Sequence, residues 1–177
     1  MSEAEVAAAL GGHMPRLYAV VDAARDPEVL AWVERSGLAY QCLFQGEKAK
    51  SLREEAPWLL SFGRDKAALE DLVDKFHDRA MVAYVVSSEP FFAVRRHLRR
   101  IQRVQTEDGR VLYFRYYDPR VARVFLPTLD DKQLRWMFGK VVERWLFEAP
   151  ERGGLMDFRV VGEDGAAPSV LPETIVA

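Results

Sequence analysis

The stretch VSSEPFFAVRRHLRRIQRVQTEDGRVLYFRYYDPRVARVFLPTL, residues 86–129, decides how the chain reads. Its first half carries the marks of a helix. Ser87 or Ser88 is placed to cap it by accepting a bond from an orphan backbone N–H, and Pro90 suits a first turn, where a missing N–H costs nothing. At about 100° per residue, Phe91, Val94, Leu98, Ile101 and Val104 share an arc of about 140°, and Arg95, Arg96, Arg99, Arg100 and Arg103 fill the opposite arc. The spacing predicts a helix over 90–104 with one side for burial and five guanidinium groups on the other. Two uses compete for those five. Long stems can simply cover a helix flank with their heads in water, or the flank can contact a partner.

The second half reads as a strand. After a turn at Glu107-Asp108-Gly109, residues 111–117 are aromatic and β-branched. Both alternating sets are largely apolar, which predicts a central strand covered on both faces. Arg115 is the odd residue there. A buried guanidinium needs a carboxylate, because an unpaired charge in a core costs several kcal/mol, and Asp22 or Asp118 is the candidate partner. Asp118-Pro119-Arg120 then breaks the strand, since Pro donates nothing to a ladder and Asp before Pro favours a turn. Pro127 ends the next run, 121–126.

Charge is distributed unevenly. The window 91–123 holds nine Arg against Glu107, Asp108 and Asp118, so it stands at about +6 while the whole chain is −2 and the other 144 residues sum to about −8. A dedicated nucleic-acid binder usually has a net basic domain, so the overall balance argues against that class and the local one keeps it in play. With 49% hydrophobic and 11% aromatic residues, the 177-residue chain is long and apolar enough for a real core. Cys42 is the sole cysteine, which excludes an intrachain disulfide and fits a reducing compartment. No basic-then-apolar leader and no long uncharged apolar stretch is present, so a soluble protein with no membrane insertion is expected.

The remaining elements follow from the same signals. Ser2-Glu3-Ala4-Glu5 has capping-box spacing ahead of a short helix closed by Gly11-Gly12. Residues 17–21 form a buried apolar run, Asp26-Pro27 opens a helix that Gly37 stops, and 40–44 reads as the next strand. Such a strand-helix-strand unit usually gives parallel neighbours. Residues 50–55 suit one or two helical turns, 58–62 lean to strand, 65–79 form a helix with an acidic outer side, and 81–86 a buried strand. Asp130-Asp131 caps a helix over 134–138, 141–147 is ambiguous, and 155–161 ends the folded part. The expected class is α/β, with a mixed, mostly parallel central sheet flanked by helices. One domain spans 1–161, and a loose C-terminal tail spans 162–177.

A search for chemistry assembles no active site. There is no glycine-rich phosphate loop. Cys42 lies in an apolar run without a neighbouring His, which suits an inert thiol. His13, His77 and His97 lack metal-ligand spacing, and His97 near the edge of the basic arc reads as a surface imidazole. Ser87-Ser88 lacks a nucleophile-elbow context. A binding protein with no catalytic, cofactor or metal residues is the expectation, and an enzyme would need a polar pocket around Asp22, Arg115 and Asp118.

Several segments in order resemble a known family. These are Tyr18-Ala19-Val20-Val21-Asp22, Leu43-Phe44-x-Gly46, Ala56-Pro57-Trp58-Leu59-Leu60, His97-Leu98-Arg99-Arg100-Ile101, Asp108-Gly109, Phe114-Arg115-Tyr116-Tyr117-Asp118-Pro119-Arg120-Val121, Phe125-Leu126-Pro127-Thr128-Leu129 and Phe138-Gly139. They are similar to the landmarks of the Tap-type effector adaptors, or chaperones, of type VI secretion. The resemblance implies a cytoplasmic, non-enzymatic bacterial adaptor that binds a toxic effector and loads it onto the VgrG spike protein. It makes Asp22, His97, Arg115, Asp118, Pro119 and Arg120 motif or structural positions, while Arg95, Arg96, Arg99, Arg100 and Arg103 are the candidate partner-binding residues. The alternative is a nucleic-acid-binding domain that uses the same arginines, with Tyr113, Tyr116 or Tyr117 as stacking platforms.

Overall fold

The apolar runs pair into one seven-stranded sheet in the computed structural model, which describes residues 1–105, 108–150, 154–161 and 169–175. In chain order the elements are α1 (Glu3–Gly11), β1 (Leu17–Asp22), α2 (Pro27–Arg35), β2 (Ala39–Cys42), α3 (Gly46–Ser51), β3 (Pro57–Ser61), α4 (Lys66–Phe76) and β4 (Val82–Val86). There follow α5 (Phe91–Ile101), β5 (Arg103–Gln105), β6 (Val111–Tyr113), α6 (Pro119–Phe125), α7 (Asp131–Met137), β7 (Arg144–Ala149), β8 (Gly154–Val161) and β9 (Ser169–Ile175). Local signals set several of the starts. Ser2 and Asp130 close capping boxes, and Asp26 accepts from the Glu28 N–H at 2.8 Å with Pro27 in the first turn.

The strand order is β2-β3-β1-β4-β7-β8-β9, and every adjacent pair is antiparallel. This overturns the mostly parallel sheet expected from the sequence. β1 and β2 do run the same way, but they are not neighbours. β3 lies between them and pairs Val20 with Leu59 on one side and Leu60 with Tyr40 on the other. β3 and β4 likewise flank β1. Two interleaved strand-helix-strand units of this kind are the split βαβ arrangement of ferredoxin-like folds.

The misreading has a physical cause. β1 and β4 are buried at every position, as central parallel strands usually are. Here the same pattern arises because helices cover both faces of an antiparallel sheet. Leu17, Ala19 and Val21 join the core under α1, α2 and α4, and Tyr18 and Val20 join the core under α5, α6 and α7.

Residues 111–117 depart further from expectation. Only 111–113 form a strand, and β6 pairs with β5 alone in a separate two-stranded sheet, Arg103 opposite Tyr113. Val111, Leu112 and Tyr113 are 48, 49 and 50% exposed, so this is an outlying hairpin and not a covered centre. Beyond it the chain turns inward. Tyr116 and Tyr117 are buried, the Tyr116 hydroxyl donates to the Leu98 carbonyl at 3.1 Å, and Phe114 packs on Phe125 with ring centres 4.6 Å apart. Apolarity in both alternating sets thus reflects two destinations, an exposed arm and an aromatic cluster. Of the expected turn at Glu107-Asp108-Gly109, Glu107 lies outside the described residues, as does Thr106 before it.

Two further boundaries differ. The helix expected over 90–104 ends at Ile101, which puts Arg103 and Val104 on β5. Ser169–Ile175, inside the expected loose tail, is strand β9 along the edge of β8. The rest of that tail, 162–168 and 176–177, lies outside the described residues. Among the described residues, no helix is long and apolar enough to cross a membrane.

Candidate functional site

The five arginines of the α5 flank do not share one environment. Val94, Leu98 and Ile101 anchor α5 in the core, which turns the opposite side outward at its middle and C-terminal end. Arg96 and Arg103 are exposed. Arg95 reaches the end of β2 instead, where its Nε and Nη2 donate to the Cys42 carbonyl at 3.2 and 3.0 Å. Arg99 is half-buried, and its Nε is buried with no acceptor among the described residues.

Arg100 is held by His97. The imidazole is 5% exposed, so it is a core residue and not the surface imidazole expected from its place on the arc. Its Nε2 lies 2.9 Å from the Met137 carbonyl and its Nδ1 lies 3.1 Å from Arg100 Nη2. A carbonyl only accepts and a guanidinium only donates, so Nε2 carries the proton and Nδ1 accepts from Arg100. Burial pushes the His97 pKa down, which keeps the ring neutral in that role. Gly139 closes against it with φ +59°, and a Cβ there would lie 2.9 Å from His97 Cε1. The His97 and Phe138-Gly139 segments are therefore one contact in space.

The start of α5 is built differently from its sequence signal. Pro90 itself is the N-cap, and neither Ser87 nor Ser88 caps the helix. Ser87 Oγ donates to the Val141 carbonyl, and Ser88 donates through N and Oγ to Glu143 at 2.7 and 2.6 Å. Both serines tie β4 to the loop before β7.

Two clefts flank Arg100. One, of about 320 Å³, lies between the end of α5 and the hairpin and is lined by Arg99, Arg100, Arg103, Val104, Gln105, Val111 and Gln45. The other, of about 310 Å³, is lined by Ala93, Arg96, His97, Arg100, Lys140 and Val141. Both walls are cationic. Among the described residues none of the five flank arginines forms an ion pair, whereas Arg16, Arg53, Arg79, Arg115, Arg120 and Arg144 each do.

Arg115, Asp118, Pro119 and Arg120 sit apart from those clefts in structural work. Arg115 Nη2 bonds Asp22, which also accepts from the Ala24 N–H at 3.3 Å. The buried member of that pair is the carboxylate, 0% exposed, while the guanidinium is 45% exposed. Burial raises the Asp22 pKa even against the pull of Arg115. Asp118 caps α6 by accepting from the Arg120 N–H at 3.0 Å, with Pro119 in the first turn, and takes Arg120 Nε and Nη2 at 3.0 and 2.7 Å. Burial alone would raise its pKa, but the Arg120 bonds outweigh burial and hold it below the ordinary carboxylate range.

One buried acid escaped the sequence reading. Glu148 on β7 is 3% exposed, accepts from the Ala80 N–H, and is pushed by burial up to about 7. Asp78 and Ala80 have φ of +57° and +54°, so this carboxylate staples a left-handed turn. His77, Asp78 and Glu148 offer donor atoms within 4.8 Å of one another. The signal was a lone Glu inside the apolar run Trp145-Leu146-Phe147-Glu148-Ala149, a position that demands a partner.

A family model described as Domain of unknown function (DUF4123) matches residues 17–135. The chain belongs to the DUF4123 family. The matched segment of the DUF4123 domain runs from β1 through most of α7 and so includes the hairpin, both clefts' arginines and the Asp22–Arg115 and Asp118–Arg120 pairs. No curated protein and no solved structure matches the chain.

Proposed function

We propose that this DUF4123 protein is a cytoplasmic, non-enzymatic adaptor that holds a secreted effector and loads it onto the VgrG spike of a type VI secretion system. Membership of the family is consistent with that role. The observation that carries the reading is the contrast in pairing: Arg96, Arg99, Arg100 and Arg103 line the two clefts with no ion-pair partner among the described residues, in a chain whose net charge is −2. Unpaired, preorganised donors of one sign suit an acidic surface on a partner and give on-rate and specificity more than raw affinity.

The acidic groups near Arg115 do not favour an enzyme. Asp22 is engaged by Arg115 and Ala24, and Asp118 by Arg120 and its own helix. The nucleic-acid alternative asks for bare rings. Tyr116 and Tyr117 are buried, and the half-exposed Tyr113 packs on Phe44 with Lys48 Nζ 3.2 Å over its ring.

Co-expression of the chain with the effector and spike encoded beside it tests the adaptor reading. Both are expected to co-purify with the unaltered protein. Arg96→Glu with Arg100→Glu should abolish effector capture while circular dichroism stays unchanged. Capture that survives this reversal would dismiss the flank, and absence of either partner from the unaltered complex would dismiss the adaptor.

A further inference from the structure

The two clefts flanking Arg100 differ in what surrounds the positive charge. The one beside the hairpin has three guanidinium groups, from Arg99, Arg100 and Arg103, and an apolar rim at Val104 and the half-exposed Val111. β5 and β6 pair only with each other among the described residues, so each has an outer edge with no ladder partner. Guanidinium groups only donate, so an occupant must present acceptors.

The acceptor could be a carboxylate or a phosphate. Unpaired strand edges and an apolar rim suit a polypeptide, which supplies both a ladder and side chains. The ring that would serve a base, Tyr113, already carries Lys48. We propose that this cleft receives an extended acidic segment of a partner polypeptide, with carboxylates on Arg99 and Arg103 and an apolar side chain against Val104 and Val111. The proposal rests on the adaptor reading for its biological partner. Its chemistry is testable without one.

The test is fluorescence anisotropy of the full chain with a short labelled peptide alternating Glu and Val, beside the same peptide carrying Gln for Glu and an oligothymidylate of equal length. The acidic peptide should bind saturably and weaken with salt, and the Gln peptide should bind at least about tenfold more weakly. Arg99→Gln with Arg103→Gln should weaken binding by roughly tenfold or more, as loss of charged hydrogen bonds does. Arg35→Gln with Lys66→Gln, an equal charge loss on α2 and α4, should change it by less than about twofold. If Arg99→Gln impairs folding, Arg103→Glu on the exposed hairpin reads the same cleft alone and should also weaken binding. No binding of the acidic peptide, tighter binding of the oligothymidylate, or a larger loss from Arg96→Gln with Lys140→Gln would each overturn the assignment. Effector capture lost in Arg96→Glu with Arg100→Glu but kept in Arg99→Gln with Arg103→Gln would overturn this cleft while leaving the adaptor reading intact.

Discussion

Arg115 and Arg103 stand twelve residues apart in the chain, and the same charge does different work in each place. Arg115 meets Asp22 at the end of a central strand, where a carboxylate shut away from water needs a cation beside it. Arg103 projects from a hairpin, exposed and with no ion pair among the described residues. Proteins place carboxylates beside arginines where the fold needs them. A cluster left unpaired over five positions marks charge whose complement comes from outside. If that contrast is right, the two groups should differ in stability and in binding.

The largest loss of stability is expected from Arg115→Ala. It leaves the fully buried Asp22 carboxylate without its cation and should cost about 3 kcal/mol at neutral pH, measured by urea unfolding. Asp22→Asn should cost less, about 1 kcal/mol, because the guanidinium it abandons is already half in water. The pH dependence follows from the raised Asp22 pKa. A group raised in the folded state contributes stability below its unfolded pKa and loses it as pH rises through the folded value. Removing Arg115 raises that folded value further, so the gap between variant and parent should narrow on acidification. A gap that stays constant from about pH 8 to about pH 4 would deny that Asp22 is ionised in the pair.

Glu148 is the intermediate case, an acid that takes a backbone N–H, with the charge of Arg123 acting on it but not enough to offset burial. Its pKa is pushed up to about 7, so its contribution to stability is complete in the ordinary Glu range and is lost as pH rises through about 7. Glu148→Gln keeps an oxygen for the Ala80 N–H and removes the titration. The parent should lose roughly 2 kcal/mol between about pH 5 and about pH 8 that the variant does not lose. Parallel stability profiles for the two proteins would count against a buried, protonated Glu148.

These contrasts also show what could be read without coordinates. Periodicity located the apolar side of α5 and Asp26-Pro27 located the start of α2, because capping and amphipathicity are local, whereas Asp118-Pro119, read as a turn, in fact opens α6. Strand direction was not legible. β3 enters between β1 and β2 through contacts far apart in sequence, and burial on both faces gives the same apolar run in either kind of sheet. The arc of five arginines was visible, but not that Arg95 would bend back to the Cys42 carbonyl or that His97 would be buried to hold Arg100. Both depend on what lies opposite α5, which a helical wheel does not contain.

Arg95→Met sharpens the boundary within the flank. It removes two donors from the Cys42 carbonyl and should cost about 1 kcal/mol, detectable as faster hydrogen exchange in β2, where Arg95 ties the helix to an edge strand. Equal protection in variant and parent would return Arg95 to the partner-facing group.

The smallest effect is the most telling. Arg96→Gln with Arg103→Gln removes two exposed charges that have no ion-pair partner among the described residues, so stability should move by no more than about 0.5 kcal/mol. The melting temperature should shift by about 2 °C or less. The direction is expected to be upward, because each loss relieves repulsion from the neighbouring guanidinium groups, and the gain should shrink as salt screens them. Repulsion already acts inside the cluster: burial lowers the Arg95 pKa first, and the charge on Arg99 lowers it further. A clear loss of stability on removing Arg96 and Arg103 would place them with Arg115 as parts of the fold, and the contrast that assigns this flank to a partner would disappear.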